Sequence, residues 1–156
     1  MSAVATAPHV RLSIPGSLEY RDLAIRVVAA ACKLVVGRDR VTDEVRQDFD
    51  NHVVSAFGEA FNNAAIHAYR GRAPGALEIE VEVGTREITL RIVDHGAGFD
   101  PLSVAEPDLD ALPENGLGLF IMRSFMDDVS YETGTAGAPN VLSMTKRLPF
   151  AQEGAA

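Results

Sequence analysis

Two stretches of strictly alternating apolar residues constrain the fold of this chain most strongly. Residues 76–83 (ALEIEVEV) and 87–93 (EITLRIV) place an apolar side chain at every second position, and residues 84–86 (GTR) join them. Because successive side chains of a strand point to opposite faces, this period predicts two strands with one face on a core. A short connection that contains glycine is typical of a hairpin. The sequence therefore predicts an antiparallel hairpin.

The other predicted elements surround this hairpin in the chain. Apolar residues at helical spacing predict a helix after the cap Ser17 that ends near Gly37, a second from the cap Thr42 to about residue 69, and a third over residues 119–126. Further strands are predicted over residues 10–14, 129–132 and 140–148. Helices early and strands late favour an α+β fold, a two-layer sandwich in which helices cover one face of a mixed, mostly antiparallel sheet. We expect a single domain over residues 10–148, with loose tails at 1–9 and 151–156.

Composition excludes several classes of function. The chain has 156 residues and a formal charge of -8. No cluster of Lys and Arg stands out, which argues against a nucleic-acid surface. The start of the chain does not resemble a signal peptide, and no apolar run reaches membrane-spanning length, so we expect a cytoplasmic protein. The single cysteine, Cys32, lies in an apolar helical stretch and is interpreted as a buried structural thiol rather than a nucleophile.

A polar seam runs through the second predicted helix. Glu59, Asn63 and His67 recur at every fourth residue of EAFNNAAIHAY (residues 59–69), so they share one face of an otherwise apolar helix. A carboxylate and a carboxamide on a mostly buried helix cost free energy unless they have partners. Glu59 can be a helix-face carboxylate in a surface ion pair, and Asn63 a buried amide that ties a loop. A metal site with bound phosphates is the functional alternative.

A second polar signal follows the hairpin directly. The run DHGAGF begins with Asp94 at the end of a strand, and Gly96 and Gly98 come after it. A carboxylate there can accept a hydrogen bond from the exocyclic amine of adenine, and glycines let the backbone approach a flat base. A simple Asp-x-Gly turn is the structural alternative.

A third signal opens the last predicted helix. Residues 100–115 are rich in Pro, Asp, Glu and small residues, and a connection of this length is often a lid. It ends at Gly116-Leu117-Gly118, where free N–H groups and the positive end of a helix dipole suit a phosphate. A flexible junction between loop and helix is the alternative.

The order and spacing of these three signals resemble the GHKL ATPase superfamily. EAFNNAAIHAY is similar to its N box, DHGAGF to its first glycine box and NGLGL (residues 115–119) to its second. Within that superfamily the chain resembles in particular the small anti-sigma serine kinases of the RsbW/SpoIIAB type. RLSIPGSLEYRDLAIRVVAAA (residues 11–31) and GLGLFIMRSFMDDVSYE (residues 116–132) add to this similarity, which covers residues 10–148.

The resemblance implies a Bergerat-type ATP-binding fold with ATP and Mg²⁺ as cofactors. It implies that Glu59 is the catalytic base and that Asn63 is the metal ligand. The nucleotide contacts that it implies are Asn63, Asp94, Gly96, Gly98, Gly116, Leu117 and Gly118. For His67 and Tyr69 we favour packing or hydrogen-bonding roles, for Arg123 a solvated face or a partner contact, and we assign His95 no role.

The resemblance also implies partners: a sigma factor, an antagonist that is phosphorylated on serine, and a second copy of the chain in a homodimer. Neither a dimerisation helix pair with a phosphoacceptor histidine nor a transducer domain is evident, so we expect neither a sensor histidine kinase nor a gyrase-type ATPase. The alternatives are a catalytically weak ATP- or ADP-binding module that switches protein partners, and a scaffold that has kept the fold.

Overall fold

The computed structural model describes residues 7–97, 117–134 and 137–149, and each predicted strand and helix is present in it. The strands are β1 (His9–Pro15), β2 (Ala76–Val83), β3 (Glu87–Asp94), β4 (Asp128–Glu132) and β5 (Asn140–Arg147). The helices are α1 (Arg21–Cys32), α2 (Asp43–His67) and α3 (Leu117–Phe125). The first predicted helix divides into a 3₁₀ turn, Leu18–Tyr20, and α1, and a second 3₁₀ turn, Val36–Arg40, follows α1 instead of a continued helix.

The strands form one sheet with the order β1-β2-β3-β5-β4. Each pairing among the described strands is antiparallel, including the predicted β2–β3 hairpin. The predicted α+β class is therefore confirmed, with a sheet that is antiparallel in the described residues where a mixed one was expected. β5 lies between β3 and β4, so the last strand of the chain is placed next to the strand that ends at Asp94.

The helices pack on one face of the sheet, as the alternation of residues in β2 predicts. Leu77, Ile79 and Val81 are buried on this inner face together with apolar residues of α1 and α2. The intervening glutamates lie on the outer face, where Arg91 reaches Glu82 at 2.9 Å. An exposed ion pair of this kind adds at most about 1 kcal/mol to the stability of the fold, so the buried inner face of the sheet supplies most of the stabilisation.

Helix α2 is the central element of the helical layer. Its N-terminus is capped by the Thr42 hydroxyl, which accepts a hydrogen bond from the Val45 N–H at 3.2 Å. Phe49, Phe57 and Phe61 are fully buried against the sheet and the other helices, and truncating such a side chain costs about 3–5 kcal/mol. Neither α2 nor another helix in the described part of the chain is long and apolar enough to cross a membrane.

Cys32 lies at the end of α1, and the prediction that it is buried is confirmed. Burial, and then the nearby Asp50 carboxylate, raise the pKa of the Cys32 thiol to about 12. Asp50 itself accepts hydrogen bonds from Lys33 and Arg38, both at 2.5 Å. The thiol is protonated at neutral pH, which fits a structural residue and not a nucleophile.

Candidate functional site

Two buried polar side chains meet where β3 ends and β5 begins. Asp94 and Asn140 are the buried polar residues among those the structure describes, with 6% and 4% of their surface exposed. They are register partners on adjacent strands. The Asn140 Nδ2 donates a hydrogen bond to the Asp94 Oδ1 at 2.9 Å, and the Gly96 N–H donates to the same oxygen at 2.9 Å. A buried carboxylate is thus held in place through one of its two oxygens.

The second oxygen of Asp94, Oδ2, accepts no hydrogen bond from the residues that the structure describes. Asp94 lines a pocket between the sheet and α2. The lining residues are Ala60, Asn63, Ala64, Ala68, Ile92, Asp94, Tyr131 and Leu142. Most of these side chains are apolar, and the Asp94 carboxylate and the Asn63 carboxamide are groups among them that can orient a polar ligand atom.

Gly96 allows the loop after β3 to lie against the C-terminal end of α2. A Cβ at Gly96 would lie 1.8 Å from the backbone oxygen of Ala68, so no larger residue fits without a backbone shift. The same Ala68 oxygen accepts a hydrogen bond from the Ala97 N–H at 3.1 Å. Gly96 therefore allows the close approach of two backbones, beside the carboxylate that its own N–H contacts.

Tyr69 connects three segments around this loop. Its hydroxyl donates to the Ala76 carbonyl at 2.6 Å and accepts from the His95 N–H at 3.2 Å. Its ring packs against Gly75, where an added Cβ would lie 2.5 Å from the ring. The structure thus places Tyr69 in a packing and hydrogen-bonding role, linking the end of α2 to the start of β2 and the end of β3.

The two adjacent asparagines of α2 have different surroundings. Asn62 accepts a hydrogen bond from the Arg21 Nε at 2.8 Å, so it ties α2 to α1. Asn63 lines the pocket beside Asp94, and no hydrogen bond joins its carboxamide to another residue in the described ranges. Of these two neighbours, Asn62 is therefore the one that ties α2 to another segment within the described ranges.

Glu59 lies one turn before Asn63 and contacts the start of α3. A Cβ at Gly118 would lie 2.9 Å from the Glu59 Oε2, so the glycine lets α3 begin against this carboxylate. Glu59 is half-buried, and the ion pairs of the described residues do not include it. The structure therefore brings Glu59, Asn63, Asp94, Gly96 and Gly118 to one edge of the molecule.

The other predicted site residues are less informative. Gly98, Gly116 and the predicted lid at residues 100–115 lie outside the described residues. Leu117 is exposed at the first position of α3. Burial, and then the nearby Arg70, lower the pKa of His67 below its ordinary value, so this imidazole is neutral at pH 7. His95 and Arg123 are exposed.

Sequence reasoning missed Tyr131, which lines the pocket, and Asn140, which donates a hydrogen bond to the pocket residue Asp94. Neither belongs to one of the three sequence signals. Asn140 could have been found only by pairing the predicted strands 87–93 and 140–148, which places it opposite Asp94. Local patterns predicted both strands but not that they are neighbours.

The chain is similar to a known family of domains and to several known proteins. The sequence profile of the family described as "Histidine kinase-like ATPase domain" matches residues 14–146. A Clostridium beijerinckii protein named "Anti-sigma F factor" is 32% identical over 128 residues, 78% of this chain and 82% of that protein. Matches to the Bordetella bronchiseptica "Serine/threonine-protein kinase BtrW" (39% identical; 47% of this chain, 55% of that protein) and the Listeria innocua "Serine-protein kinase RsbW" (32% identical; 52% and 58%) are shorter. The predicted resemblance is confirmed, and the chain belongs to the histidine kinase-like ATPase domain family.

Proposed function

We propose that this protein is an ATP-dependent serine/threonine-protein kinase that acts as an anti-sigma factor. It would phosphorylate an antagonist protein on serine and sequester a sigma factor. One observation carries the proposal: in a member of an ATPase domain family, Asn63 and Asp94 line one pocket, and Glu59 lies one helical turn before Asn63. The names of the relatives, which include an anti-sigma factor and two protein kinases, support both parts of the proposal.

Asp94 would recognise the adenine base. Its Oδ2, which accepts no hydrogen bond from the described residues, can accept one from the exocyclic amine, while apolar side chains such as Ile92 and Leu142 would contact the ring faces. A hydrogen bond to a charged acceptor contributes about 1.5–3 kcal/mol, which is enough to favour an amine over a carbonyl at that position. Gly96 packs on the Ala68 backbone and donates its N–H to the Asp94 Oδ1, which would hold the carboxylate in place for the base.

Asn63 and the start of α3 would bind the phosphate end. The carboxamide oxygen of Asn63 is a suitable ligand for Mg²⁺, which binds through few protein groups together with phosphates and water. When bound, the ion would supply positive charge that offsets the charge of the phosphates. The free N–H groups at the first turn of α3, next to Gly118, would add hydrogen bonds to phosphate oxygens.

Glu59 would act as the general base. Its carboxylate lies one helical turn from Asn63 and against the first turn of α3, and Glu59 is not among the residues that line the base pocket. In that position it can accept the proton of a serine hydroxyl as the hydroxyl oxygen attacks phosphorus. Because Glu59 is half-buried, the surrounding protein limits the water that competes for this contact.

The proposed partners are a sigma factor and a phosphorylatable antagonist, and the proposed assembly is a homodimer. The name of the Clostridium beijerinckii relative supports the sigma factor, since that protein matches most of this chain. The antagonist and the homodimer rest on the sequence resemblance to the small anti-sigma kinases. A sigma factor acts at the transcription machinery, which places the proposed activity in the cytoplasm.

A second candidate function is a catalytically weak module that binds ATP or ADP and switches partners. The relatives named as kinases match about half of this chain, whereas the relative that matches 78% of it is named an anti-sigma factor. This difference favours a role in which nucleotide-dependent binding outweighs turnover.

A transfer assay distinguishes the two candidates. The full chain is incubated with Mg²⁺ and ATP labelled at the γ-phosphate, and with an antagonist that it captures in the presence of ATP. A kinase is expected to move the label to a serine of the antagonist, and replacing that serine by alanine should abolish the signal. Nucleotide-dependent capture without labelling would contradict the kinase and support the switch.

A further inference from the structure

Asn140 uses its whole side chain to hold the residues around the proposed base pocket. Its Nδ2 donates to the Asp94 Oδ1 at 2.9 Å and to the Gly96 carbonyl at 3.2 Å. Its Oδ1 accepts from the Gly134 N–H at 2.8 Å. With 4% of its surface exposed, Asn140 is buried, and both donors and its acceptor are satisfied by protein groups. Asn140 is therefore fixed from several sides.

This arrangement fixes the orientation of the Asp94 carboxylate. The terminal torsion of an aspartate is soft, and its two oxygens can exchange places or tilt unless something holds them. Here the Asn140 amide and the Gly96 N–H both donate to Oδ1. Oδ1 is occupied, and Oδ2, which accepts no hydrogen bond from the described part of the chain, is the oxygen that would face a ligand. Its direction depends on Asn140.

We infer that Asn140 is a positioning residue that sets base specificity, making the pocket prefer 6-amino over 6-oxo purine nucleotides. The inference rests on the proposed nucleotide site and adds to it a residue outside the three sequence signals. When Oδ2 is held in one orientation, it accepts a hydrogen bond from an exocyclic amine and repels a carbonyl oxygen. A carboxylate that is free to tilt can instead move away from the carbonyl, so it discriminates less. Asn140 acts through Asp94 and does not itself contact the base.

A purely structural role for Asn140 predicts a different result. In that case its hydrogen bonds would only connect β5 to Gly134 and to β3. Removing them would then weaken the binding of every nucleotide equally. The ratio of two affinities separates the roles, because a general loss of stability cancels in the ratio while a loss of orientation does not.

The test measures the dissociation constants of ATP and inosine triphosphate for the full chain by calorimetry. These nucleotides differ in the group at position 6, an amine in ATP and a carbonyl in inosine triphosphate. The variants are Asn140→Ala and Asn140→Leu; leucine keeps the number and branching of the side-chain heavy atoms and is used if the alanine variant fails to fold. Thr145→Val is the matched control, since it removes a side-chain hydrogen bond to Thr89, 3.0 Å long, from the same strand away from the pocket.

Wild type and Thr145→Val are expected to favour ATP by about 10- to 100-fold, the range that one oriented hydrogen bond to a charged group gives. In the Asn140 variants we expect the preference to fall to about threefold or less, mainly through weaker ATP binding. An unchanged ratio in a folded Asn140 variant, or no preference in wild type, would overturn the inference and leave the ATP site standing. If wild type binds neither nucleotide, the proposed function fails and the inference fails with it.

Discussion

Replacing Glu59 by glutamine is expected to reduce phosphate transfer to the antagonist by about 10²- to 10⁴-fold, the usual contribution of a general base. Glutamine has the same shape and still packs against Gly118, but its amide cannot accept the serine proton. Because Glu59 lies away from the base pocket, the affinity for ATP should stay within about threefold of wild type. Single-turnover transfer rates and calorimetric dissociation constants, measured on the same preparation, check the two halves of this prediction.

The matched control is Glu44→Gln, at an exposed position in the first turn of the same helix. It removes the same charge from α2 at the far end from the site, and it should leave transfer unchanged. Equal rates for wild type and Glu59→Gln would contradict the catalytic assignment. A parallel loss of ATP binding and transfer would instead make Glu59 a binding residue.

Replacing Asp94 by asparagine is expected to weaken ATP binding by about 100-fold. The Asn140 amide and the Gly96 N–H are both donors, so the new side chain must turn its oxygen toward them. Its NH₂ group then faces the exocyclic amine of adenine, and two donors oppose each other. The affinity is read by calorimetry and the fold by circular dichroism.

Asp128→Asn is the control for this substitution. Asp128 is exposed and pairs with Arg147 at 2.6 Å, and it is not among the residues that line the pocket, although Tyr131 on the same strand is. Its loss should cost at most about 1 kcal/mol of stability and should not affect ATP binding. If Asp94→Asn bound ATP as tightly as this control, Asp94 would not be the base-recognition residue.

The sequence was sufficient to predict the elements because their signals are local. Alternation in β2 and β3 reflects one buried face, and the spacing of Phe49, Phe57 and Phe61 reflects the buried face of α2. The first predicted helix was the least accurate, because the apolar stripe begins at Leu18 in a 3₁₀ turn and continues to Val35, beyond the end of α1 at Cys32. Apolar spacing does not distinguish these two kinds of helical turn.

The site was predictable in part. The motifs identified Glu59, Asn63, Asp94, Gly96 and Gly118, and the structure brings these residues to one edge. Asn140 could not be identified, because its contact with Asp94 depends on β5 lying beside β3 although β4 precedes β5 in the chain. Strand order is a property of the whole packing, so no local pattern encodes it.

The central claim is that the edge formed by Glu59, Asn63 and Asp94 binds ATP with Mg²⁺. Calorimetric titration of ATP into the full chain, with and without Mg²⁺, tests it most directly, in wild type, Asn63→Ala and Asn62→Ala. We expect one ATP per chain, bound about tenfold or more tightly with Mg²⁺ in wild type and in Asn62→Ala, and no effect of Mg²⁺ in Asn63→Ala. Failure of wild type to bind ATP, or an equal response to Mg²⁺ in all three proteins, would contradict the claim.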